Sequence, residues 1–98
     1  MKTFTGTWQS KTDPLGRSNL VVNLKADGGS LTGTVKYLNS EHLETVATVG
    51  FVFLENNALT FQTDDGASWR LVPKQRPNFA TLWKGTNKLP IEKTIKSK

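Results

Sequence analysis

Trp8, Trp69 and Trp83 are the residues of this sequence best equipped for recognition chemistry, because an indole offers a broad apolar face and one N–H that seeks an acceptor. They lie in separate segments of alternating pattern, which predicts three strands presenting them on inward or concave faces. Tyr37 and Phe61 join them in a set that could line a site for a small apolar or aromatic ligand. Asn23, Gln62 and Ser68 are the polar groups able to orient it. The same rings could equally serve as core plugs.

A second set is cationic. Residues 1–66 carry five basic and seven acidic groups, whereas residues 67–98 carry eight basic and one acidic, so the net charge of +5 comes from the last third of the chain. Arg70, Lys74, Arg76, Lys84 and Lys88 interleave with Trp69, Phe79 and Trp83. That is the composition of a surface that binds single-stranded nucleic acid or another polyanion, with cations tracking phosphates and rings stacking on bases. A solvated basic face with a lysine-rich tail has the same composition.

Catalytic apparatus is not visible. His42 is the sole histidine, and no motif ties a serine or threonine to it. With no cysteine, disulfides, thiolate nucleophiles and Cys-ligated zinc are excluded. Asp64-Asp65 before Gly66 reads as a hairpin turn rather than a metal site, and no glycine-rich phosphate loop opens a helix. The expectation is a protein that is not an enzyme, with no cofactor and no metal.

The elements that must hold these residues are short. Turn-forming groups recur at Asp13-Pro14-Leu15-Gly16, Asp27-Gly28-Gly29, Glu55-Asn56-Asn57, Asp64-Asp65-Gly66 and Gly85-Thr86-Asn87. Between them apolar residues alternate: Phe4, Gly6, Trp8; Leu20, Val22, Leu24; Leu31, Val35, Tyr37; Leu59, Phe61; Trp69, Leu71; and Phe79, Thr81, Trp83. Glu44 to Leu54 is apolar on both faces and reads as a strand buried on two sides. Ser40 to Glu44 is the one segment with room for a helical turn. Residues 88–98 could form a last strand, with Ile91, Lys93 and Ile95 on one face, or a frayed basic tail.

Residues 1–98 therefore read as one all-β domain, a small antiparallel meander of 6–8 short strands that closes into an up-and-down β-barrel or curls into a strongly curved sheet. The interior of such a barrel is just wide enough to be filled by its own side chains or to hold one small ligand. No apolar run approaches the ~20 residues of a membrane span, and Met1-Lys2 leads into Thr3-Phe4-Thr5-Gly6 without the apolar core of a signal peptide. A cytoplasmic, non-membrane location is expected.

Thr5-Gly6-Thr7-Trp8, then Leu15-Gly16-Arg17-Ser18, then Ala26-Asp27-Gly28-Gly29-Ser30-Leu31-Thr32-Gly33-Thr34 resembles the opening hairpin of streptavidin and avidin. More loosely, Gly6-Thr7-Trp8 is similar to the G-x-W start of the calycins, the lipocalins and fatty-acid-binding proteins. The sequence departs from the avidin pattern at Val35, where that family has a ligand-contacting tyrosine. The resemblance implies a ligand-holding barrel. The leading expectation is thus a non-enzymatic small-ligand-binding module of calycin or avidin-like type. Its rivals are a basic nucleic-acid or polyanion binder using residues 67–98, and a structural protein forming a homo-oligomer. The two-faced strand from Glu44 to Leu54 favours a homodimer whatever the ligand.

Overall fold

Eight antiparallel strands follow one another in chain order around a closed barrel in the computed structural model, which describes residues 3–10, 20–38 and 44–94. They are β1 (Gly6–Ser10), β2 (Leu20–Asp27), β3 (Ser30–Leu38), β4 (Glu44–Glu55), β5 (Ala58–Thr63), β6 (Ser68–Pro73), β7 (Phe79–Lys84) and β8 (Asn87–Lys93). Among the described residues there is no helix. The expected turn at 13–16 lies outside the described residues, as does Ile95; of the helical turn expected at Ser40 to Glu44, only Glu44 is described, and it begins β4.

Local chemistry sets the turns. Gly28-Gly29 and Asn56-Asn57 each place two consecutive residues at positive φ, the geometry of a two-residue hairpin whose twist matches its strands. Gly33 answers a different need. A Cβ there would lie 1.8 Å from the Asn23 carbonyl oxygen, so only glycine lets β2 and β3 approach so closely. Residues 87–93 form a true last strand: Trp8 pairs with Lys93 and Ser10 with Ile91, which joins β8 to β1 and removes both sheet edges.

The inward side chains fill the barrel. Trp8, Val22, Leu24, Val35, Leu59, Phe61, Trp69, Leu71 and Leu82 are all fully buried, and they come from six of the eight strands. Phe61 and Trp69 are cross-strand partners stacked at 6.3 Å with their planes 9° apart. At the end where β1 begins, Phe4 is buried beneath Trp8, whose indole N–H donates to the Phe4 carbonyl at 2.9 Å. Lys93 crosses the same end, its ammonium 5.0 Å from the Trp8 ring and donating to the Thr3 carbonyl at 2.6 Å. Partial burial lowers its pKa.

Two sequence expectations are corrected here. In β7 the inward residues are Ala80 and Leu82, while Phe79, Thr81 and Trp83 face out. Pairing of Leu82 with Leu71 and of Ala80 with Ile91 fixes that phase, and a slip of one residue reverses every side chain. With Trp8, Phe61 and Trp69 already inside, the remaining volume suits alanine and leucine.

The second correction concerns β4, which is not buried on two sides. Its pairing runs Val49 with Thr63 and Gly50 with Gln62, then resumes with Phe53 opposite Thr60, so β4 carries one extra residue. Phe51 sits in that bulge at φ 49°. The insertion shifts the alternation: Ala47 and Val49 face in before it, and Val52 packs on the core after it. Val46, Phe51, Phe53 and Leu54 stay 58%, 81%, 51% and 50% exposed. β8 pairs only with β1 and β7 and so does not cover them.

Candidate functional site

One end of the barrel is closed by a polar network. Tyr37, at the end of β3, donates its hydroxyl to Asp65 Oδ2 at 2.7 Å. Asp65 lies in the turn between β5 and β6, and its other oxygen accepts from the Thr63 hydroxyl and from the Ala67 N–H. Thr63 in turn accepts the Trp69 indole N–H at 2.9 Å. Lys84 brings its ammonium to 4.6 Å from the Tyr37 ring and 5.1 Å from the Trp69 ring.

The charges are tuned accordingly. Hydrogen bonds from Thr63 and Tyr37, helped by Ala67 and the Lys84 charge, hold the Asp65 carboxyl down at about 2. Asp65 as acceptor, with some burial, raises the Tyr37 phenol. The donors and acceptors of this chain of contacts satisfy one another, so the network acts as a lid over the Phe61–Trp69 stack. Neighbouring Asp64 pins the same turn to β4 by exchanging backbone and carboxylate hydrogen bonds with Thr48.

The outer wall offers the more open surface. Register alone aligns Phe53, Thr60, Arg70, Trp83 and Lys88 as successive cross-strand partners from β4 to β8. Directly opposed residues share a face at a Cβ separation of ~5 Å, so this row is continuous. Trp83 is half-buried in this row, with the Lys88 ammonium 5.4 Å from its ring and Arg70 opposite on the other side. Thr60, Ser68, Arg70, Val72 and Trp83 line a hollow of about 480 Å³. It combines an aromatic face, an aliphatic floor, two hydroxyls and a guanidinium.

The aromatic set drawn from the sequence is thus divided among three places. Trp8, Phe61 and Trp69 are core, Tyr37 belongs to the lid, and Trp83 alone stands on the outer wall. Of the polar candidates, Ser68 joins Trp83, whereas Asn23 faces out from β2 and Gln62 lies beside Phe51 on β5. The cationic set divides too. Arg70 and Lys88 flank Trp83, Lys74 and Arg76 sit in the β6–β7 connection beside Phe79, and Lys84 is committed to the lid.

Thr60 and Val72 enter the site through cross-strand register, which no local pattern displays. Asp65 reads from sequence only as a turn residue, and its role as the lid's acceptor depends on Tyr37, 28 positions away. Among the described residues no three His, Asp or Glu side chains converge as metal ligands. No known family model matches the chain, and no curated protein or solved structure is detectably similar to it. The likeness of the first hairpin to avidin-type barrels therefore rests on its own residues.

Proposed function

We propose that this chain is a non-catalytic binding module that holds single-stranded nucleic acid on the outer wall of β5–β8. The observation that carries this reading is Trp83, half-buried outside the barrel with Arg70 and Lys88 as its partners on either side. A half-buried indole on the outer wall between two cations matches a stacked base with phosphates beside it, and stacking tolerates any base. A small apolar ligand inside the barrel is less well supported, because Trp8, Phe61 and Trp69 are packed against the aliphatic core and a ligand would have to displace them.

Fluorescence titration with oligothymidylate over a salt series tests the reading. Quenching of Trp83 is expected. If Arg70, Lys74, Arg76 and Lys88 each neutralise one phosphate at about −0.7 apiece, log affinity should fall with log salt at a slope near −3. Absence of quenching at low salt, or an affinity indifferent to salt, would reject it.

The exposed side chains of β4 favour a second, compatible property, a homodimer joined through Val46, Phe51, Phe53 and Leu54. Four large apolar side chains at least half exposed on one strand are the kind of surface that marks an interaction site. Sedimentation equilibrium should show a dimer, and a monomer at high micromolar concentration would remove this reading.

A further inference from the structure

Trp83 is not the only aromatic on the outer face of β7. Phe79 projects from the same face four residues earlier, half-buried, with the Arg76 guanidinium 4.8 Å above its ring. Lys74 and Arg76 sit with Phe79 around a hollow of about 550 Å³ at that end of the strand. The connection is held in place from within: the Lys74 N–H donates to the Phe79 carbonyl at 2.9 Å, and the Phe79 N–H donates to the Arg76 carbonyl. β7 therefore carries a ring with cations at each end and only Thr81 between.

Resting on the nucleic-acid reading above, we infer that β7 is a track with two base-stacking subsites, Trp83 with Arg70 and Lys88, and Phe79 with Arg76 and Lys74. Four residues of strand separate the rings by about 13 Å. At the duplex rise of ~3.4 Å per nucleotide that distance spans about four nucleotides, and fewer when the strand is pulled out. The track thus fits a single-stranded segment of about three to five nucleotides. Glu92 is the cross-strand partner of Phe79 on this face, a carboxylate beside the second subsite, where it opposes a phosphate.

A length series of oligothymidylates of about two to eight nucleotides, titrated against the full chain at low salt, tests the track. Affinity should rise steeply from two to about five nucleotides and then level. Phe79→Ala should weaken the longer oligonucleotides by roughly tenfold and leave the dinucleotide unchanged, since loss of one stacked base has about that effect. Phe79→Leu, which keeps the apolar bulk, should act in the same way and guards against a folding defect. Glu92→Gln should tighten the longer ones. Binding that grows evenly with length, or Phe79 variants that affect all lengths alike or none, would overturn the second subsite while the Trp83 site stands. Failure of every length to quench Trp83 would overturn both, and inorganic polyphosphate competing as well as oligonucleotides of equal charge would show that stacking plays no part.

Discussion

Tyr37 and Asp65 join across the mouth of the barrel: the phenol at the end of β3 donates at 2.7 Å to a carboxylate in the turn between β5 and β6. β4 and β5 lie between those two elements in the sheet, so the bond ties non-neighbouring parts of the wall together. Through Thr63 it extends to the indole of Trp69, and so connects the surface to the core.

Removing that acceptor should loosen the mouth. Asp65→Ala deletes an acceptor of three hydrogen bonds, and because the site is largely solvated the net loss is expected near 1 kcal/mol. That corresponds to a fall in Tm of roughly 4–8 °C for a domain of this size. Calorimetry showing an unchanged Tm would mean the lid is incidental.

Acid should have a related effect. The folded chain holds Asp65 at about 2, below its ordinary 3.8, so the unfolded chain takes up the proton first. The stability this group contributes is complete above about pH 4 and disappears as pH falls toward about 2. Urea midpoints of wild type and Asp65→Asn should therefore differ at neutral pH, approach each other below about pH 4 and converge only as pH falls through about 2. A gap that persists in acid would contradict the assignment.

The phase of β7 makes Leu82 and Trp83 unequal. Leu82→Ala leaves a core cavity and should cost about 2–5 kcal/mol. Trp83→Ala strips a half-buried ring from the outer wall and should cost about 1 kcal/mol, although tryptophan is the larger residue. Chemical denaturation of the two variants decides this, and the reverse order would place Trp83 in the core.

Two glycines should respond oppositely to alanine. At Gly33 the new Cβ meets the Asn23 carbonyl at 1.8 Å, so β2 and β3 must separate and the loss should reach or exceed about 3 kcal/mol. Gly50→Ala meets open space at an ordinary backbone conformation, and should be neutral or stabilising by about 0.5 kcal/mol.

Phe51 holds a positive φ that bulky residues avoid, at a cost on the order of 1–2 kcal/mol. Phe51→Asn should recover part of that in the monomer and abolish self-association in the same sedimentation experiment. A less stable variant would show that Phe51 is not strained, and one that still dimerises would show that it is not an interface residue.

Much of the fold was present in the sequence. Its two-residue hairpins, and alternation such as Leu20, Val22, Leu24 facing Asn23 and Lys25, are local properties, because turn conformation and a period of two depend on near neighbours only. The absence of cysteine and the concentration of cations in residues 67–98 needed no structure at all. The assignment of faces did need it. FATLWK reads plausibly with either set of side chains inward, and the choice fell to Leu71 and Ile91, which contact it from β6 and β8. The bulge at Phe51 likewise exists only against the register of β5. Volume decided the rest: once Trp8, Phe61 and Trp69 fill the barrel, the third tryptophan has no place inside, and closure of the sheet sets it between Arg70 and Lys88 on the outer wall.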